Sequence, residues 1–123
     1  MRTAWRVGMV ILAVMTIAAA PSAHRLVVVV AMPGDPRATK QHALLEDDAA
    51  ALRERDVVIQ DMTPDAARRD RPELGVGSRA AFEVLLIGKD GGVKLRRDKP
   101  VAAFEITALI DTMPMRQDEM RRR

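Results

Sequence analysis

The chain has 123 residues, 48% hydrophobic and 30% charged, with a formal net charge of +3. That length favours one domain, and the balance of apolar and charged residues excludes wholesale disorder. With no Cys and two His, the chain cannot form disulfides, thiolate nucleophiles, Cys-ligated zinc or iron–sulfur sites, or a three-His metal site.

Residues Met1 to Ala23 read as a secretory signal. Arg2 and Arg6 form a positive start, and Val7 to Ala20 is an apolar core too short for a comfortable transmembrane helix. Small residues follow, so cleavage is expected between Ala20 and Ala23. An uncleaved N-terminal anchor is the alternative. Removing Arg2 and Arg6 from 20 Lys+Arg leaves 18 against 17 Asp+Glu, so the mature chain is close to neutral. Trp5 leaves as well, and Phe82 and Phe104 are then the only aromatics. Nucleic acid is not an expected partner, because both the charge and the stacking platforms are missing.

Arg25 to Met32 is a β-branched run, apolar on both faces, and reads as a central parallel strand. Pro33-Gly34-Asp35-Pro36 breaks it, with Asp35 as an N-cap and Pro36 at the first helical position. The spacing of Ala38, His42, Leu45, Ala49 and Leu52 predicts one helix over Arg37 to Arg55. Asp56 to Met62 reads as a second strand centred on Val57, Val58 and Ile59. Together these make a βαβ unit. Thr63 to Ala81 reads as a poor helix or an irregular crossover, with Thr63-Pro64-Asp65 able to start a short helix through Ala66 and Ala67.

Phe82 to Ile87 is a third strand and Gly88 to Gly92 a turn. Val93 to Arg96 is a fourth strand, antiparallel to the third, with Val93 and Leu95 inward and Lys94 and Arg96 outward. Asp98 is placed to cap a last helix with Pro100 in its first turn. Ala102, Ile106, Leu109, Ile110 and Met113 share one face of that helix, and Val101 and Phe104 lie opposite. Pro114 interrupts it before a charged tail. The order β-α-β-(α)-β-β-α predicts an α/β, thioredoxin-like sandwich on a central four-stranded mixed sheet; a generic small α/β sandwich is the alternative. The expected division is a signal over 1–23, a domain over 24–113 and a tail over 114–123.

The stretch LLIGKDGGVKLRRDKPV (Leu85 to Val101) and IDTMPMRQDEMR (Ile110 to Arg121) resemble a bacterial family, the domain of unknown function 4174. GDPR (Gly34 to Arg37) and the junction Ala51 to Val58 fit it too. The resemblance covers essentially the mature chain. It implies a thioredoxin-like fold related to the DUDES domains of sushi-repeat proteins, an exported setting and no settled activity. The chain departs from the family at Thr63 to Ala81, which looks shortened, and at the start of the last helix.

Redox-active thioredoxin-like proteins carry cysteines in the loop after the first strand, where a helix N-terminus lowers a thiol pKa. Here that loop is Met32 to Arg37, so the expected protein is a non-redox binding module rather than a thiol–disulfide oxidoreductase. Candidate binding residues are Asp35, Arg37 and Lys40 at the loop, Lys94 and Arg96 within the basic hairpin 89–99, and Met115 and Arg116 in the tail. The expected partner is a protein or an anionic ligand, with membrane contact only through an uncleaved N-terminal segment. Neither cofactor nor metal is expected. His42 reads as a packed or edge residue, and Met115 and Met120 as groups that could pack the tail onto the domain. A thiol-independent enzyme or a polyanion binder, using the loop 32–37 and the hairpin 89–99, is the alternative function.

Overall fold

The computed structural model describes residues 22–123, so the expected secretory segment lies outside the described residues except for Ser22 and Ala23. Strand β1 (Arg25–Ala31) is the organising element. Val27, Val28, Val29 and Val30 are each at most 1% exposed. A β-branched run suits a strand covered on both faces, because each side chain then meets a packed layer. The sheet order is β2-β1-β3-β4. β1 pairs parallel with β2 (Val57–Met62) and antiparallel with β3 (Phe82–Ile87), and β3 pairs antiparallel with β4 (Val93–Arg97).

Helices cover both faces of this sheet. On one face Val27 and Val29 pack with Leu45 of α1 (Pro36–Glu46), Leu52 of α2 (Ala49–Glu54), and Ile106 and Ile110 of α4 (Ala103–Asp111). On the other face Val28 and Val30 pack with Ala67 of α3 (Pro64–Asp70), Leu74 and Val76. Burial of one such side chain contributes about 1.5–3 kcal/mol. The crossover between β2 and β3 is a short helix capped by Thr63, whose hydroxyl accepts from Ala66 N at 3.1 Å, followed by a 3-10 turn over Pro72–Leu74.

Several expectations are corrected. The helix expected over Arg37 to Arg55 is two helices, parted at Asp47 and Asp48. Two adjacent carboxylates at a helix C-terminus oppose the dipole, and Asp is a weak helix former. Leu45 and Leu52 are buried as expected, but Gln41 is the third buried residue, while Ala38, His42 and Ala49 are half-buried. The second strand forms as expected, but it lies at the sheet edge, which leaves Val58 and Ile59 45% and 39% exposed. Val93, expected inward, is 37% exposed, because the β3–β4 register shifts between Leu86 and Ile87.

The last domain helix begins at Ala103 rather than at Asp98 and Pro100. Its start is fixed by the buried amide of Gln41. Gln41 Nε2 donates to Val101 O at 2.9 Å, and Val101 N donates to Gln41 Oε1 at 2.8 Å. With both backbone groups of Val101 engaged, the chain enters the helix four residues later than an Asp98 cap implies, and the buried stripe starts one residue later, at Ala103. The buried stripe is therefore Ala103, Ile106, Thr107 and Ile110, with Ala102 exposed.

The tail is a helix, α5 (Pro114–Arg121), and its inner face is ionic rather than methionine-lined. Met115 and Met120 are 48% and 41% exposed. Arg116, 1% exposed, donates to Asp111 at 3.2 Å and Glu54 at 3.1 Å. The Glu119 carboxylate takes two bonds from buried Arg25, both 3.2 Å, and one from Lys89 Nζ at 2.7 Å. Arg25 also donates to Arg55 O at 2.9 Å, and Lys89 to Asp56 at 2.9 Å. Burial pushes the Glu119 carboxyl up, but the bonds from Lys89 and Arg25 outweigh it and hold it at about 2.

Two outcomes follow. Gln41→Leu keeps the side chain's bulk but strands the N–H and C=O of Val101, and is expected to cost about 2–4 kcal/mol in urea unfolding. Phe104→Ala, at a 75% exposed position, serves as a near-neutral control. Glu119, lowered from 4.5 to about 2, contributes about 3 kcal/mol above pH about 4.5. That contribution is lost as the pH falls toward about 2. Unfolding free energy measured across that window is expected to fall less steeply in Glu119→Gln than in the parent chain.

Candidate functional site

The loop that follows β1 turns at Gly34, whose φ of +80° falls in the left-handed region that glycine adopts without penalty. Asp35 then caps α1. Its Oδ1 accepts from Arg37 N at 2.9 Å and from Arg37 Nε at 3.0 Å, and its Oδ2 accepts from Arg37 Nη2 at 2.7 Å. The Arg37 guanidinium, together with the backbone bond from the same residue, holds the Asp35 carboxyl below its ordinary value. Arg37 also lies over the Phe82 ring, 5.1 Å from its centroid. The helix N-terminus, which could hold an anion, is thus occupied by the chain's own carboxylate.

Beside this loop is a cleft of about 330 Å³, at the C-terminal ends of β1 and β2. Val29, Ala31 and Ala38 give it an apolar floor, and Asp35, Thr39, His42, Asp61 and Thr63 supply polar groups. His42 of α1 reaches across to the edge strand, with its Nε2 2.6 Å from Asp61 Oδ1. Both side chains are partly open to solvent, at 41% and 62%. The structure therefore brings Asp35 and His42 together in one cleft, while Arg37 and Lys40 do not line it.

Within the basic hairpin, Lys94, Arg96 and Arg97 are each paired with a carboxylate. Lys94 meets Asp90 at 2.8 Å and holds that carboxyl down; Arg96 meets Glu83 at 2.5 Å and the carbonyl of Leu74; Arg97 meets Glu105 at 2.8 Å. Gly91, at φ +84°, makes the turn that permits this. Met115 borders a small cavity of about 120 Å³ with Met113 and Pro114. Arg116 faces inward and presents nothing to a partner. Among the described residues, no three His, Asp or Glu gather as a metal-ligand set. None of the described helices is long and apolar enough to cross a membrane.

The sequence reading missed Asp61 and Gln41, and placed Glu119 in the tail motif without its partners. Asp61 carries a weak signal: it alternates with Val57 and Ile59 and so shares their face of β2. Gln41 precedes Leu45 by four residues, on the same helical stripe. Nothing local gives the partners of Glu119, which are 94 and 30 residues away.

A family model described as "Domain of unknown function (DUF4174)" matches residues 17–119. Among solved structures, the chain is similar to thioredoxin-2, described as a component of malaria parasite protein secretion machinery. The TM-score is 0.51 at 16% identity, over 73% of this chain and 84% of that one. It is also similar to a thioredoxin-like protein from Bacteroides caccae, with a TM-score of 0.50 at 16% identity, over 74% of this chain. The match spans 41% of the Bacteroides chain. No curated protein matches in sequence.

Asp35→Ala is expected to lower Tm by a few degrees through loss of the cap. Asp35→Asn, which can still accept from Arg37 N, should retain most of the parent Tm. An equal loss in both would make the ion pair, not the cap, the source of the effect.

Proposed function

The chain belongs to the DUF4174 family, whose thioredoxin-like fold it shares, and from that premise we infer that it is an exported, non-redox binding module. The observation that carries this reading is the loop after β1. It is Met-Pro-Gly-Asp-Pro-Arg in a chain without Cys, and its polar groups are spent on a helix cap and an internal ion pair. Thiol–disulfide exchange needs a thiolate to attack a sulfur, and this chain offers neither. What remains at that end of the sheet is a cleft of about 330 Å³ with an apolar floor and a polar rim, features of a binding site. Export is supported by the charged start, the apolar core and the small residues of Met1 to Ala23.

Two measurements test it. Intact-mass analysis of the chain produced in a bacterium is expected to find it outside the cytoplasm, cut between Ala20 and Ala23. Recovery in the cytoplasm with Met1 in place overturns export. A photo-crosslinking residue at Thr39 is expected to yield covalent adducts in those cells, and one at exposed Ala108 none. No adduct at either position defeats the binding reading, and turnover of a disulfide substrate by the purified chain defeats its non-redox character.

A further inference from the structure

The two edges of the sheet are built differently. β4 carries Lys94, Arg96 and Arg97, each held laterally by a carboxylate, which is how natural sheets discourage a further strand. β2 has no such protection. Its sequence is Val-Val-Ile-Gln-Asp-Met, without Pro or Lys, and residues 58–61 are exposed. Val58 and Ile59 are open on opposite faces, and among the described residues no strand pairs with the outer side of β2. An apolar edge strand with free backbone groups is a template for strand addition.

The charge on this edge selects the occupant. Asp61 is the only charged side chain on β2, and it is 62% exposed. It lines the cleft described above, where Asp35 is already paired with Arg37. The group facing Asp61 is His42, which meets the carboxylate through one oxygen, with Nε2 2.6 Å from Oδ1. We propose that β2 accepts an extended segment of a partner protein, one that alternates apolar and basic residues and sets a basic side chain against Asp61. This deepens the binding reading and rests on it. Strand addition supplies the main-chain hydrogen bonds, Val58 supplies apolar contact on the face opposite Asp61, the stems of the basic side chains cover Ile59, and Asp61 sets the charge preference.

The test uses the full chain and two synthetic eight-residue peptides, one alternating Val with Lys and one alternating Val with Glu. Labelled-peptide anisotropy gives affinity, and amide chemical shifts give the site. The Val–Lys peptide is expected to bind and to shift the amides of Val57–Met62, leaving Val93–Arg97 unmoved. Asp61→Lys, at an exposed position that the fold tolerates, is expected to weaken that peptide about fivefold to tenfold and to favour the Val–Glu peptide. Ile59→Pro is expected to abolish binding; if its thermal midpoint shows that it has unfolded, Asp61→Lys alone decides. Shifts confined to β4, equal binding of both peptides, or none, overturn the proposal. So does sedimentation showing a dimer that Asp61→Lys dissociates, because the occupant would then be a second copy. Crosslinks at Thr39 without peptide shifts on β2 would defeat this inference and leave the binding reading standing.

Discussion

The burial of β1 on both faces is the constraint from which the rest of the structure follows. Four consecutive valines at most 1% exposed need a packed layer above and below the sheet. A chain of this size can supply the second layer only by economy. The two longest helices, α1 and α4, lie on one face, and the other is covered by a seven-residue helix, a 3-10 turn and the loop carrying Val76. With Phe82 the only ring in the two core clusters, density comes from interlocked aliphatic side chains, which tolerate little change in shape.

Apolar packing sets the layers but does not fix their registration, and two polar fastenings do that. Gln41 ties α1 to the entrance of α4 through a reciprocal pair of bonds to one residue. Glu119 ties α5 to the start of β1 and to the hairpin turn through Arg25 and Lys89. Both are geometrically selective, because a buried amide or charge displaced from its partners costs far more than a displaced methyl group. The ionic fastening explains how a helix as polar as PMRQDEMR can dock at all. Its contacts with the domain are charge pairs of the buried Arg25 and Arg116 with Glu119 and the half-exposed Glu54.

The sequence made the elements legible wherever one residue pattern has one reading. A doubly apolar β-branched run is a central strand, and Asp-Gly-Gly between two apolar runs is a hairpin. Thr63-Pro64 likewise opens a helix, as its hydroxyl bond to Ala66 bears out. It was less legible where a long-range polar contact overrides local spacing. The phase of α4 follows Gln41, sixty residues away, and the inward face of α5 follows Arg25 and Glu54 rather than its own methionines. Strand order was a further blind spot. Nothing in Val-Val-Ile says edge or centre, and only the observed pairing makes Val58 and Ile59 surface residues. The loop after β1 was read correctly as cysteine-free and capped by Asp35, while the cleft beside it depends on Asp61, contributed by a different strand.

That last dependence shifts where chemistry can reside. In this fold the N-terminus of the helix after β1 is the natural electropositive site, and here it is closed by Asp35 and Arg37. The hairpin cations are closed in the same manner, and Arg116 is turned inward. Local pairing therefore neutralises most of the groups whose residue type alone suggested anion binding. What stays open among the described residues is of the opposite character: an apolar edge strand with no strand on its outer side, and a 62% exposed carboxylate, met by His42 through one oxygen, lining a cleft. A surface of that kind recognises main chain first and charge second, which favours an extended polypeptide over a small anion.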